Sequence, residues 1–183
     1  MKQLTKDDLL TQVKNEVVIQ DYSKKPEIEG IKITEIKRYG GEDGTFEDLV
    51  RINESGYLEL FPEFQLRQIN RSKLIGNAIK AWHIHLNQED IWYIPPEDHM
   101  MLGLWDVREN SSTKDLKMRV LMGTGAPKLV YIPRGVAHGV VNWSKKAGTI
   151  IYLVNNQFNL QNPDEYRLPW DKAGREFWEI EKG

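Results

Sequence analysis

The chain has 183 residues, a formal net charge of −2 and no cysteine. This length is normal for one domain with a sizeable core, and the missing cysteines exclude disulfides and thiolate ligands. The charge gives no electrostatic footprint for nucleic acid or an anionic membrane. The N-terminus lacks the apolar run of a secretory signal, and no apolar stretch reaches membrane-spanning length. These features predict a cytoplasmic protein that binds neither nucleic acid nor a membrane.

Residues 1–27 are predicted to form a helical extension outside the main fold. Thr5 followed by Lys-Asp-Asp is typical of a helix start, and apolar residues from Leu9 onward keep helical spacing to about Glu16. The predicted helix is short and peripheral.

Residues 28–160 contain short apolar runs separated by clusters of glycine, proline, asparagine and aspartate, a pattern typical of a sandwich or barrel. The predicted strands are 31–36, 46–51, 64–70, 78–86, 91–94, 101–107, 118–121, 129–132, 139–143 and 148–154. Residues 161–183 are predicted to be mostly irregular, with a short helix around 173–180. Nothing marks a domain boundary, so we expect one all-β jelly-roll domain over 1–183 with short peripheral helices.

Three histidines stand in the two halves of a cupin signature. His83, His85 and Glu89 match the first half, and the run Pro133–Asn142, which contains His138, matches the second. Side chains alternate along a strand, so His83 and His85 are expected on one face, and His138 on a facing strand would bring a third imidazole to the same cavity. Such a set suits either a divalent metal or a histidine base acting on a polar ligand.

Further segments between about residues 28 and 170 extend the match beyond the cupin signature. They are Ile28–Ile33, Gly44–Arg51, Gln68–Ser72, Lys80–His83, Trp105–Arg108 and Tyr131–Gly139. In order and spacing they make the chain similar to the dTDP-4-dehydrorhamnose 3,5-epimerase family, nucleotide-sugar isomerases built on a cupin jelly-roll barrel. The resemblance implies a cofactor-free epimerase acting on a dTDP-4-keto-6-deoxysugar.

The resemblance also implies the catalytic groups. His83 matches the family's base, which removes a proton next to the ketone, and Asp106 or Asp171 would orient its imidazole. The family's proton-donating tyrosine aligns near Phe158, which has no hydroxyl, so Tyr152, or alternatively Tyr93, would take that role. Exchange at C3 is therefore expected, whereas inversion at C5 depends on Tyr152 or another hydroxyl.

Substrate-binding residues follow from the same resemblance. Lys80 stands where the family has an arginine that grips the diphosphate, and Asp90 stands near the family's enolate-stabilising lysine. The predicted substrate-binding residues are Gln68, Asn70, Lys80, Phe46, Phe158 and His138. The partner is a small nucleotide-sugar, and the resemblance further implies a homodimer that exchanges an early strand.

Two alternatives stay open from sequence. In the first, a metal-dependent cupin enzyme holds a divalent ion with His83, His85, Glu89 and His138. In the second, the protein is a non-catalytic sugar-binding relative, because Phe158 and Asp90 replace two catalytic groups. The choice rests on the site, since a fold does not fix a function.

Overall fold

The computed structural model describes residues 3–182, in which antiparallel strands make up most of the regular structure. The strands are β1 (Lys32–Glu35), β2 (Arg38–Gly41), β3 (Gly44–Glu47), β4 (Gln68–Leu74), β5 (Ile79–Ile84), β6 (Asp90–Tyr93), β7 (His99–Asp106), β8 (Lys117–Gly123), β9 (Lys128–Ile132), β10 (Val136–Asn142), β11 (Gly148–Val154) and β12 (Tyr166–Arg167). The helical elements are α1 (Thr11–Lys14) and the 3-10 turns Lys6–Asp8 and Glu176–Trp178. The all-β prediction is confirmed. No helix of residues 3–182 is long and apolar enough to cross a membrane.

Two five-stranded sheets and one separate hairpin form the architecture. The first sheet has the order β1-β9-β6-β11-β4, and the second has the order β12-β5-β10-β7-β8. Strands β2 and β3 pair only with each other. The main apolar core lies between the two sheets and includes Leu102, Leu104 and Val140 from the second sheet with Val130 and Ile150 from the first.

Both sheets are also covered on their outer faces. Phe61 and Phe64, from the loop before β4, pack on the first sheet, and Trp178, near the C-terminus, packs on the second. All residues of β6 and of β10 are buried as a result. Their sequences are therefore mostly apolar rather than alternating, since both faces are covered, and Asp90 and His138 are polar exceptions that line a cavity between the sheets.

An irregularity in β5 decides which of its side chains share a face. His83 pairs with His138, whereas Lys80 pairs with Val140, so three steps along β5 match two steps along β10. This is a β-bulge, in which one extra residue re-aims the side chains that follow it. Lys80 and His83, which strict alternation would place on opposite faces, both line the same cavity.

Most predicted strands are present with shifted ends, and the helices are shorter than predicted. The helix expected between Thr5 and Glu16 is broken into the turn Lys6–Asp8 and the four-residue α1, and neither contains a buried residue. Without an apolar face packed on the core, so short a helix is marginal. The C-terminal helix is likewise reduced to Glu176–Trp178.

Two strands were not predicted, and two predicted ranges were partly wrong. β2 was missed, and β12 lies in the segment expected to be irregular. The run 46–51 is a strand only to Glu47, and the run 64–70 is a strand only from Gln68. The parts of these two runs that are not strand, 48–51 and 64–67, belong to the loop between β3 and β4. The apolar side chains of this loop cover the first sheet instead of extending it. The proposed boundaries of a single domain over 1–183 stay a prediction.

Candidate active site

A cavity of about 620 Å³ lies between the two sheets. One wall comes from β4, β6 and β11 of the first sheet, and the opposite wall comes from β5, β10 and β12 of the second. Residues of the loop between β11 and β12 also border it. The predicted site residues that line it are His83, Tyr152, Gln68, Asn70, Lys80, Phe158, His138 and His85.

Strand alternation explains the first wall. Tyr152 pairs with Asn70 on one side and with Trp92 on the other, and all three side chains face the cavity. Tyr93, next to Trp92, belongs to the apolar cluster on the outer face, where its hydroxyl donates a hydrogen bond to Glu47. Tyr152 therefore has access to a ligand, and Tyr93 does not.

Burial raises the pKa of Tyr152, and the negative charges of Asp90 and Glu165 raise it further. A phenol with a raised pKa keeps its proton at neutral pH. Tyr152 can therefore donate a hydrogen bond or a proton to a ligand in the cavity.

On the second wall, His83 lies between an acidic side chain, Glu165, and a basic side chain, Arg167. Its Nδ1 lies 2.5 Å from Glu165 Oε1, and its Nε2 lies 2.9 Å from Arg167 Nη1. A guanidinium can only donate, so Nε2 accepts from Arg167 and Nδ1 carries the hydrogen donated to Glu165. This fixes the tautomer with a lone pair on Nε2, as a general base requires.

Glu165 is ionised at neutral pH. Burial by itself would raise its pKa, but the hydrogen bond from His83 and the nearby His85 and Arg167 lower the pKa of Glu165 to about 2. A carboxylate in this position also stabilises the imidazolium that forms when His83 accepts a proton.

The other two histidines of the cavity are each oriented through Nδ1 by a backbone oxygen. The Nδ1 of His85 donates to the backbone oxygen of Asp164, and the Nδ1 of His138 donates to that of Val136 at 3.1 Å. Burial holds the pKa of His138 below its usual range, although the charge of Asp90 opposes this shift. His138 is thus neutral, and its ring lies 5.9 Å from that of His83 and 5.4 Å from that of Trp92.

Asp164 fixes the end of β5 next to these imidazoles. Its carboxylate accepts hydrogen bonds from the backbone amides of Leu86, Asn87 and Gln88, at 3.0, 2.7 and 2.8 Å. Although burial opposes it, these amides lower the pKa of Asp164. The contacts join the segment before β12 to the segment after β5, so Glu165 and Arg167 are held beside His83.

The metal set predicted from sequence is not assembled. Glu89 accepts from Asn155 Nδ2 at 2.9 Å and lies 3.4 Å from Arg134, away from the cavity. The described residues bring together His85, Asp90 and His138 instead, with ligand atoms within 4.8 Å of one another. Both oxygens of Asp90 already accept hydrogen bonds, from Gln88 at 2.8 Å and from Trp92 at 3.0 Å.

Asp106 and Asp171 do not occupy the position predicted for them beside His83. Asp106 accepts hydrogen bonds from Arg108, Ser111 and Thr113, and these outweigh burial and hold its pKa well below the usual range. Asp171 pairs with Arg175 on the surface. The carboxylate that contacts His83 is that of Glu165, so this part of the prediction is corrected.

Phe46 is the remaining predicted residue outside the cavity. It lies on β3, is 64% exposed and contacts Tyr39 across the β2–β3 hairpin. It cannot reach a ligand in the cavity of the same chain from there.

Sequence reasoning missed Glu165 and Arg167, which contact both nitrogens of His83. Their one local signal is the alternation Glu-Tyr-Arg between two prolines, which here forms the two-residue β12 opposite Ile84 and His83. Alternation over so few residues is too short to identify a strand.

The fold and the cavity define a cupin with histidine side chains on one wall and a tyrosine on the facing wall. The sequence pattern of the dTDP-4-dehydrorhamnose 3,5-epimerase family matches residues 25–176, and the chain belongs to this family. It is a nucleotide-sugar epimerase of the isomerase class, and enzymes of this family need no cofactor.

The chain is 38% identical over 144 residues to the spore coat polysaccharide biosynthesis protein SpsL of Bacillus subtilis, covering 79% of this chain and 91% of SpsL. Among solved structures it is similar in fold to a dTDP sugar isomerase from Desulfovibrio desulfuricans, with a TM-score of 0.69, 21% identity and coverage of 84% of this chain and 91% of that one. A Legionella pneumophila dTDP-6-deoxy-D-glucose-3,5-epimerase in complex with dTDP-4-keto-L-rhamnose has a TM-score of 0.67 and 21% identity, with coverage of 78% and 74%.

Proposed function

We propose that the protein epimerises a dTDP-4-keto-6-deoxysugar with His83 as the base, Glu165 as the group that orients it, and Tyr152 as the proton donor. The observation that carries this proposal is the fixed tautomer of His83, with Nδ1 bonded to Glu165 and a lone pair on Nε2. Membership of the family and the likeness to SpsL support the substrate class.

In the proposed reaction, Nε2 of His83 takes the proton from the carbon next to the ketone. The electron pair of the C–H bond forms the double bond of an enolate, and the ketone's π electrons move to its oxygen. Tyr152 then delivers a proton to the carbon from the other side. Inversion requires a base and an acid on opposite faces of the sugar, and His83 and Tyr152 lie on opposite walls of the cavity.

The two alternatives from sequence are less well supported. The residues expected to bind a metal are not assembled as a set, because Glu89 is bonded outside the cavity. A purely sugar-binding role would not explain why His83 and Tyr152 face each other across the cavity. In addition, the family to which the chain belongs consists of isomerases.

Deuterium exchange tests the proposal directly. The dTDP-4-keto-6-deoxysugar is incubated with the protein in deuterated buffer, and incorporation of label at C3 and C5 is followed by NMR. We expect label at C3 at a rate proportional to protein concentration. Sugar that stays unlabelled at both carbons would contradict the proposed reaction.

Lys80 is proposed to bind the diphosphate. It lines the cavity, with Nζ 3.5 Å from Ser72 Oγ, so we expect Lys80→Ala to weaken dTDP binding about tenfold while leaving the fold intact, the loss of roughly one charge-assisted contact. Thermal shift with dTDP measures this, since a ligand of the native state raises the melting temperature. Lys73→Ala is the matched control, because Lys73 is an exposed residue of the neighbouring β4 outside the cavity. Equal shifts for Lys80→Ala and the unchanged protein would contradict the assignment.

We further propose that the protein is a homodimer. The N-terminal segment leaves Val18, Ile19 and Tyr22 more than 80% exposed, and the aromatic pair of the β2–β3 hairpin is also exposed. Apolar groups of this kind favour association. Phe46 can contact a bound nucleotide only if its hairpin docks on a second copy, so its predicted role depends on this dimer. Sedimentation should give twice the chain mass at micromolar concentration, and a stable monomer would contradict it.

A further inference from the structure

The enolate proposed above places negative charge on an oxygen inside the cavity, where a hydrogen-bond donor stabilises it and a positively charged donor stabilises it most. Within residues 3–182, the lysine and arginine side chains that line the cavity are Lys80 and Arg167. Asp90, also in the cavity, is an acid and would not stabilise such an oxygen. The question is therefore which of the two cations serves the reacting atoms.

Arg167 is the cation that touches the base. It pairs with His83 across the β12–β5 ladder, its Nη1 lies 2.9 Å from His83 Nε2, and its Nε lies 3.0 Å from Glu165 Oε1. Its side chain is 52% exposed, so it has room to move within the open side of the cavity. Lys80 lies three residues away from His83 and is hydrogen-bonded to Ser72 instead.

The contact between Arg167 and His83 also creates a difficulty for the base. The lone pair of Nε2 must be free to accept a proton from carbon, but in this structure it accepts a hydrogen bond from Arg167. A ketone oxygen is another acceptor for the same guanidinium. A substrate that offers this oxygen can replace Nε2 as the acceptor and so release the lone pair.

We propose that Arg167 is a catalytic residue of this enzyme that binds the ketone oxygen and stabilises the enolate. This inference rests on the function proposed above. On binding, the N–H of Arg167 passes from His83 Nε2 to the ketone oxygen. The carbon acid then loses its proton to the freed Nε2, the electron pair moves onto the oxygen, and the guanidinium opposes the new charge. Glu165 keeps contact with both groups throughout. A donor aimed at developing charge is worth most in such a preorganised site.

Replacement of Arg167 tests this role. We expect Arg167→Ala to reduce C3–deuterium exchange by about 100-fold or more through kcat, as for loss of an oxyanion donor, with dTDP affinity retained. Arg167→Lys should recover part of the rate because it keeps the charge but not the planar fork. Arg175→Ala is the control, since Arg175 is a 75% exposed surface arginine.

Chemical rescue separates a chemical role from a structural one. Guanidinium chloride at low, non-denaturing concentration should restore part of the exchange by Arg167→Ala, and sodium chloride at equal ionic strength should not. Three results for Arg167→Ala would overturn the proposal for Arg167: an exchange rate equal to that of the unchanged protein, a faster rate, or a rise in KM with no loss of kcat. None of them would contradict the proposed epimerase function. Absence of exchange in the unchanged protein would instead remove the proposed function, and the role of Arg167 with it.

A metal-bound enolate is the competing source of positive charge. Exchange by the unchanged protein should survive dialysis against a chelator. If chelation abolished exchange and a divalent ion restored it, the charge would belong to a metal on His85, Asp90 and His138, and the proposal for Arg167 would be overturned.

Discussion

Replacing His83 with asparagine is expected to reduce deuterium exchange at C3 by roughly 100-fold to 10,000-fold, the range for loss of a positioned general base. Asparagine keeps a polar side chain of similar reach, but its amide cannot accept a proton from carbon at neutral pH. NMR of the 4-keto sugar in deuterated buffer measures the rate. Melting temperature and dTDP binding should change little, because His83 is replaced by another polar residue at the cavity wall.

His99→Asn is the control for this experiment. His99 is an exposed residue at the start of β7, and it does not line the cavity. The His99→Asn variant should incorporate deuterium at C3 at the same rate as the unchanged protein. Label that persists at the full rate in His83→Asn would remove His83 as the base and with it the proposed reaction.

Tyr152→Phe should separate exchange from inversion. The base on the opposite wall is intact in this variant, so label should still enter at C3, but the donor of the returning proton is lost and inversion should fall by about 100-fold. Phenylalanine preserves the contact with Trp92, whose ring lies 5.8 Å away. NMR reads both quantities from one sample, as label content and as sugar configuration.

Tyr93→Phe distinguishes the two tyrosines named from sequence. Its hydroxyl contacts Glu47 on the outer face of the first sheet, so inversion should be unaffected even if the variant is less stable. If Tyr152→Phe inverted the sugar as fast as the unchanged protein, another group would have to return the proton, and the opposing-wall arrangement would not explain the reaction.

The fold was largely predictable because its signals are local. β11 has the predicted bounds, 148–154, since a glycine starts an apolar run and asparagines follow it. The length of the N-terminal helix was not predictable. Thr5 and Asp8 do form a hydrogen-bonded helix start, but none of the helical residues that follow is packed on the core. A start signal cannot reveal whether a helix has a partner.

The site was predictable only in part. Alternation placed His83 and His85 on one face, and both line the cavity. The partners of His83 follow about 80 residues later, in a segment without periodicity, and their position depends on the Asp164 contacts that hold it in place. Contacts so distant in sequence have no local pattern, whereas Asp106 lies in a recognisable sequence motif but bonds to Arg108, Ser111 and Thr113 instead of His83.

The bulge in β5 has a consequence for how this cavity changes among related chains. A related chain that kept the three-residue spacing but paired with β10 in the ordinary way would lack this bulge, and its counterparts of Lys80 and His83 would follow strict alternation. Their side chains would turn to opposite sides, since each step along a strand reverses direction. A chain could thus keep every functional residue type and still lose its diphosphate ligand or its base. Comparison of relatives should therefore ask whether the bulge is kept as well as whether these two residues are.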